Sequence, residues 1–108
     1  MQCTTWAHAK RPDLPWTELG DAKTWDSRAA DLGYSVDRIP ARRDIAVWQG
    51  GQCTRDDHGC AGHYGHVAFV VAVLSGNKIR ISESNWPTGS GPRVTVVNGR
   101  GLTFIHGG

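Results

Sequence analysis

Two β-rich runs with a very short polar connection constrain the fold of this 108-residue chain more than any other feature. The runs are His66–Leu74 and Lys78–Ser84, and only the residues Ser75–Asn77 lie between them. A connection this short between two such runs predicts a β-hairpin. The start of the first strand then lies beside the end of the second, so we expect the residues at those two ends to meet.

Three polar side chains stand at these ends of the predicted hairpin. His66 begins the first strand, and Glu83 and Asn85 lie at the end of the second. Side chains alternate between the two faces of a strand, so Glu83 and Asn85 share one face. His66 lies on that face if the residue numbers of each pair that faces across the hairpin add up to an odd total, as for Leu74 with Asn77. The sequence does not fix this register, but it permits an imidazole flanked by a carboxylate and an amide.

Composition excludes several classes of protein. Charged residues make up 20% of the chain and the formal net charge is +2, so no basic surface for nucleic acid is predicted. The longest apolar run, Val67–Leu74, is far too short to cross a bilayer. A chain of this length has room for one hydrophobic core. We therefore interpret residues 1–108 as a single domain and expect a monomer without nucleic-acid or membrane partners. Met1 lies only two residues before Cys3, which suggests a domain excised from a longer protein.

The first third of the chain predicts helices. Gln2–Lys10 is expected to form a short helix that stops before Pro12. A second helix is predicted over Ala22–Leu32, where apolar residues recur on one face. Asp21 is the expected N-cap of this helix and Gly33 its left-handed C-terminal residue. A Pro-bounded loop lies between the two helices.

The rest of the chain predicts strands. Besides the central hairpin, the candidates are Val36–Ile39, Ile45–Gln49, Arg93–Val97 and Leu102–His106. The last two are expected to form a hairpin across the turn at residues 98–101. Helices that precede a run of strands predict an α+β fold with short N-terminal helices packed on a central antiparallel sheet.

The three cysteines divide into a pair and a single residue. Cys53 and Cys60 lie seven residues apart in a long polar loop, and a loop disulfide is expected if the protein is exported. The alternative is a closed structural metal site formed with His58 and His63, although the spacing is not a standard one for zinc.

Cys3 is the single cysteine and a candidate nucleophile. It falls in the first turn of the predicted N-terminal helix, where unpaired amides and the helix dipole favour a thiolate. Thiol hydrolases need an ionisable sulfur, an imidazole base and a polar group that orients the base. His66 provides the imidazole, and Glu83 or Asn85 would orient it. The Cys3 backbone amide is the expected donor to an oxyanion.

The chain resembles the CHAP domain, the cysteine- and histidine-dependent amidohydrolase/peptidase family. The resemblance rests on the runs QCTTWAHAKRPDLPW, YGHVAFVVAV and IRISESNW. Cys3 matches the nucleophile of the family and His66 its general base. Glu83 matches the third member, and Asn85 matches the polar residue that often follows it.

The resemblance implies a papain-like α+β fold and hydrolysis of peptidoglycan. The bond would be the muramoyl–L-alanine amide or one within the stem or cross-bridge peptide, and the place of action the cell wall or the extracellular space. Some members carry calcium in acidic residues just before the cysteine. This sequence has none there, so we expect no cofactor and no metal.

Four side chains near the hairpin are candidates for the wall of a substrate cleft: Trp48, His63, Tyr64 and Trp86. Aromatic faces suit sugars and peptide backbones, but packing in the core explains the two tryptophans equally well.

Two other classes of function stay open. The chain could be a cell-wall binding module that has lost its chemistry, although Cys3, His66 and Glu83 are all present. It could also be a cysteine amidase that acts on a small-molecule amide. An open groove would favour the polymer and a closed pocket the small molecule.

Overall fold

The computed structural model describes residues 3–54, 60–84 and 91–107, with only the backbone of residues 16 and 17. Helix α1 spans Cys3–Lys10, a short α2 spans Trp16–Leu19, and a 3-10 turn at Ala22–Thr24 leads into α3, Trp25–Asp31. In the described part of the chain no helix is long and apolar enough to cross a membrane.

Within the described residues, six strands follow and form one antiparallel sheet. They are β1 (Val36–Asp37), β2 (Ile45–Trp48), β3 (His66–Val73), β4 (Lys78–Glu83), β5 (Arg93–Asn98) and β6 (Thr103–Ile105). Their order in the sheet is β1-β6-β2-β3-β4-β5, so β3 and β4 lie together near the middle, as the short connection predicts. The α+β fold with N-terminal helices is confirmed.

The prediction of a last hairpin is wrong. β5 pairs with β4 at one edge of the sheet, whereas β6 pairs with β1 and β2 on the other side of β3. Val97 on β5 and Phe104 on β6 nevertheless share one buried cluster. The sheet therefore curls, and the chain crosses between its two sides at residues 99–102 rather than turning back on itself.

Two clusters of buried side chains hold the sheet. The first lies between the sheet and the helices, and its larger members are Leu14, Leu19, Trp25, Ile45, Val47, Val67 and Ile105. The second lies on the other face inside the curl and includes Trp48, Val70, Ile79, Ile81, Leu102 and Phe104. Every side chain of β2 is buried because both of its faces are covered.

The ends of α3 differ in part from the sequence prediction. The Asp21 side chain makes no capping hydrogen bond, because the chain enters through the 3-10 turn, and that prediction is wrong. Gly33 has φ +96°, and the amide of Tyr34 reaches back to the Ala29 carbonyl. The left-handed glycine after the helix is confirmed.

Candidate active site

A buried imidazole–carboxylate pair lies where the central hairpin opens. His66 Nε2 and Glu83 Oε1 are 2.8 Å apart, and the two side chains are 5% and 0% exposed. His66 is the first residue of β3 and Glu83 the last of β4. With Nε2 committed to the carboxylate, Nδ1 is the nitrogen that would exchange a proton with a reacting group.

A β-bulge sets the register that brings this pair to one face. Next to the turn Val73 pairs with Ile79, an even total, which would put His66 and Glu83 on opposite faces. The register shifts between Val70 and Ala72, and beyond it Phe69 pairs with Ser82, an odd total. One extra residue in β3 therefore turns the first half of the strand so that the imidazole meets the carboxylate.

The residues around His66 restrict its position. Gly65 has φ +79°, and a Cβ there would lie 2.5 Å from the Trp48 carbonyl oxygen and 2.7 Å from the Lys23 amide nitrogen. Only glycine accepts both this φ and this approach. The Trp48 indole packs edge-on against the imidazole, with ring centroids 5.1 Å apart.

Cys3 lies beside the start of β3. Helix α1 packs against β3, and Trp6 Nε1 donates a 3.0 Å hydrogen bond to Ser82 Oγ on β4. Cys3 packs against the buried cluster that contains Val67, the residue after His66, and the Val67 amide acts to lower the pKa of the Cys3 thiol. The structure therefore brings Cys3, His66 and Glu83 together at one end of the hairpin.

Burial raises the pKa of the Cys3 thiol above its ordinary value. The backbone amides of Val67, Thr4 and Cys3 itself act the other way, as expected at a helix start, while the negative charge of Glu83 adds to the rise. The expectation that the helix start yields a net lowered pKa is wrong, because desolvation outweighs the amides. A thiol whose pKa is raised depends on a neighbouring base for its ionisation.

Sequence reasoning missed Arg93. Its Nε donates to Glu83 Oε2 at 3.0 Å, and its second guanidinium nitrogen lies 3.0 Å from the same oxygen. Arg93 is the first residue of β5 and pairs directly with Glu83 across the ladder. A predicted β4–β5 pairing would have pointed to this contact, but the turn residues 98–101 favoured a pairing of β5 with β6.

The predicted cleft residues fall into three groups. Trp48 is fully buried and packs in the core, so the expectation that it lines a cleft is wrong. His63 and Tyr64 are exposed just before His66, with ring centroids 5.1 Å apart. Asn85 and Trp86 lie outside the described residues.

Cys53 and Cys60 are joined by a disulfide. This bond leaves neither sulfur available as a thiolate ligand, so the alternative of a structural zinc site is not what the structure has. His58 lies outside the described residues. Among the residues that are described, no three His, Cys, Asp or Glu side chains gather into a group able to hold a metal ion.

Comparison with known proteins places these residues in a family. The model of the CHAP domain matches residues 1–85. An N-acetylmuramoyl-L-alanine amidase domain-containing protein of Staphylococcus aureus is 39% identical over 87 residues, 78% of this chain and 13% of that protein. An N-acetylmuramoyl-L-alanine amidase of Staphylococcus epidermidis is 32% identical over 112 residues, 97% of this chain and 31% of that protein.

A solved structure agrees with this result. The crystal structure of an N-acetylmuramoyl-L-alanine amidase from Staphylococcus aureus superimposes with a TM-score of 0.84 at 34% identity, covering 99% of this chain and 30% of that one. This chain thus spans only 13–31% of the two curated relatives. The family match over most of the sequence, together with relatives above 30% identity, shows that the chain belongs to the CHAP domain family.

Proposed function

We propose that this chain is a cysteine hydrolase that cleaves an amide bond of peptidoglycan. The observation that carries the proposal is the buried 2.8 Å contact between His66 and Glu83, with Cys3 beside the start of the same strand. An imidazole held by a carboxylate and placed near a thiol is the arrangement that thiol acyl transfer requires. The names of the relatives favour the bond between N-acetylmuramic acid and L-alanine over a bond within the stem peptide.

The mechanism starts from the protonated thiol. As the Cys3 sulfur attacks the amide carbonyl, His66 Nδ1 takes the thiol proton, and the Glu83 carboxylate stabilises the imidazolium through Nε2. The Cys3 backbone amide is the expected donor to the developing oxyanion.

Collapse of the tetrahedral intermediate completes the first half of the reaction. The carbon–nitrogen bond breaks, the imidazolium gives its proton to the leaving amine, and a thioester on Cys3 remains. Water then attacks the thioester with His66 again as the base. The products are a carboxylate, an amine and the free thiol.

The exposed side chains near His66 fit an extended substrate. His63 and Tyr64 stand at the surface where β3 begins, and the Lys23 ammonium lies 5.9 Å from the centre of the Tyr64 ring. We propose that His63 and Tyr64, with Trp86, contact the glycan or peptide near the scissile bond. We also propose that residues 1–108 form one catalytic domain that acts as a monomer, outside the cell or in the wall.

Digestion of purified sacculi tests this function. The chain, Cys3→Ala and Tyr64→Ala are incubated with sacculi, and the released fragments are identified by mass spectrometry. We expect the wild type to release intact stem peptides with a new L-alanine amino terminus, Tyr64→Ala to release them more slowly, and Cys3→Ala to release none. Stem peptides cut internally would reassign the bond, and no release by the wild type would leave the wall-binding or small-molecule alternative.

A chelator tests the role of metal in the same assay. The proposed mechanism uses Cys3 and His66 as nucleophile and base, which excludes both as ligands of a catalytic zinc. We expect activity to survive exhaustive EDTA treatment. Activity that is lost to EDTA and restored by zinc or calcium would contradict a metal-free mechanism.

A further inference from the structure

We propose that Arg93 is a positioning residue that holds Glu83 ionised and correctly oriented for His66. This inference rests on the proposed cysteine-hydrolase function. It concerns a residue eight positions beyond the part of the chain that the family model matches. Three contacts carry it: Arg93 places two donors on Glu83 Oε2, and His66 takes Glu83 Oε1.

The burial of Glu83 makes a charged partner necessary. Its side chain is 0% exposed, and a carboxylate removed from water is costly unless a cation or several donors compensate it. A guanidinium stays charged at any pH at which the protein folds, whereas the imidazole must gain and lose a proton during each turnover. Arg93 therefore supplies a constant positive charge beside Glu83.

The geometry divides the carboxylate between its two partners. Both guanidinium donors reach Oε2 at 3.0 Å, so Oε1 is left to the imidazole at 2.8 Å. An ionised carboxylate can only accept, and the His66 nitrogen that faces it must therefore carry hydrogen. Arg93 thus favours the tautomer with hydrogen on Nε2, which leaves the proton-accepting lone pair on Nδ1.

The position of Arg93 allows it to be replaced. Its side chain is 39% exposed at the start of the edge strand β5, so a substitution there does not open the core. Arg80 offers a matched control, because it is an exposed arginine on the neighbouring strand and pairs with Val96 rather than Glu83.

The pH dependence of kcat/KM distinguishes positioning from a general charge effect. In Arg93→Gln the buried carboxylate loses its cation and takes up a proton more readily. We expect kcat/KM to fall by about 10–100-fold near neutral pH, and its acid limb to move to higher pH. Arg80→Gln makes the same change in net charge and should leave kcat/KM and the position of its acid limb unchanged. An unshifted acid limb in Arg93→Gln would overturn the proposal.

A double-mutant cycle tests whether Arg93 acts through Glu83. In a Glu83→Gln background no carboxylate remains to be held, so adding Arg93→Gln should change kcat/KM by less than about twofold. If Arg93→Gln lowered kcat/KM in the Glu83→Gln background as much as it does in the wild type, Arg93 would contact the substrate directly. That result would contradict a positioning role.

A readout without substrate separates this inference from the proposed function. Nitrogen-15 NMR of the His66 ring reports which nitrogen carries hydrogen. We expect hydrogen on Nε2 in the wild type and a mixture of tautomers in Arg93→Gln. The same ring spectrum in both would overturn the proposal, whether or not sacculi are cleaved.

Arg93→Lys keeps the charge but not the planar pair of guanidinium donors, and it tests the proposal if the glutamine variant does not fold. We expect this variant to retain the Nε2–H tautomer and to lose less than about tenfold in kcat/KM. A lysine variant that loses the tautomer would show that charge beside Glu83 is not what Arg93 supplies.

Discussion

Two histidines of this chain are bound by carboxylates at opposite ends of strand β2, and the difference between them separates chemistry from structure. His66 pairs with Trp48 at the end of β2, and its Nε2 meets the Glu83 carboxylate. His106 lies at the other end, with Asp37 2.7 Å from Nε2 and Asp44 2.9 Å from Nδ1. An imidazole held on both nitrogens by carboxylates cannot act as a base.

The His106 cluster ties the ends of the chain together. Asp44 also accepts the Ala41 amide at 2.7 Å, and Arg11 donates to the carbonyls of Ile105 and His106. Desolvation is the largest influence on the pKa of His106 and lowers it, but the hydrogen bonds and charges of Asp37 and Asp44 together raise it above its ordinary value. The two carboxylates therefore favour the protonated form of His106, and the contacts of this residue are structural. Both ring nitrogens of His106 thus face carboxylates, whereas the Glu83 carboxylate meets His66 at Nε2.

Replacement of each histidine by glutamine gives the largest expected contrast. His66→Gln removes the base and should lower sacculus hydrolysis by roughly 10⁴-fold or more. His106→Gln should leave the rate within about twofold, since no step of the mechanism uses it. The two rates are measured on sacculi under one set of conditions. Equal losses in the two folded variants would contradict the assignment of roles.

The carboxylate beside His66 is expected to matter for activity, whereas a carboxylate beside His106 is not. Glu83→Ala leaves the imidazolium without its counter-charge, and the rate should fall by about 10³–10⁴-fold. Asn85→Ala should cost less, because an amide stabilises an imidazolium less than a carboxylate does. Asp44→Ala at the other site is the control and should keep activity in the folded fraction. Equal, mild losses for Glu83→Ala and Asn85→Ala would mean that another group orients His66.

The pH dependence of Cys3 alkylation tests the electrostatics of the site. Because burial raises the pKa of Cys3, the rate of its reaction with iodoacetamide should rise at higher pH than that of a small free thiol. Glu83→Gln removes a charge that raises this pKa, so its profile should move to lower pH. A wild-type profile below that of the free thiol would show that the imidazole, rather than burial, controls the ionisation of Cys3.

The free energy of unfolding should depend on the ion pairs of His106. The pKa of His106 is higher in the folded protein than in the unfolded chain. The residue therefore stabilises the fold fully at pH values below its unfolded pKa, and this stabilisation is lost as the pH rises through its folded pKa. We expect His106→Gln to lower the free energy of unfolding by about 1–3 kcal/mol below pH ~6.5. The difference in free energy of unfolding between the wild type and His106→Gln should narrow toward alkaline pH, as measured by urea titrations at several pH values. A gap that widens with pH would contradict a cationic His106.

The sequence was sufficient to predict the central part of the site. A short turn between two β-rich runs predicted that the strand ends with His66 and Glu83 would be neighbours, and the family motifs predicted Cys3 as the nucleophile. The register was not predictable, because the turn alone gives the wrong face and the bulge lies in the run Val70–Val73, which contains no glycine to signal it. Bulges of this kind are set by packing on both sides of the strand.

Apart from the missing cap at Asp21, which is local, the errors concern long-range contacts. The buried position of Trp48 depends on the curl of the sheet, which periodicity in a single strand does not report. The pairing of β5 with β4, and with it the contact of Arg93 with Glu83, depends on which edge the chain returns to. The raised pKa of Cys3 likewise comes from burial by distant elements, whereas the helix-start amides are local and were predicted.

Titration of Cys3 against activity tests the central claim most directly. Unreduced protein is alkylated with limiting iodoacetamide, the fraction modified at each cysteine is measured by mass spectrometry, and residual hydrolysis of sacculi is plotted against it. Since Cys53 and Cys60 are joined, we expect one label per chain, on Cys3, and activity that falls in a straight line to zero at full modification. Substantial activity in protein that is fully alkylated at Cys3 would contradict the thiol mechanism.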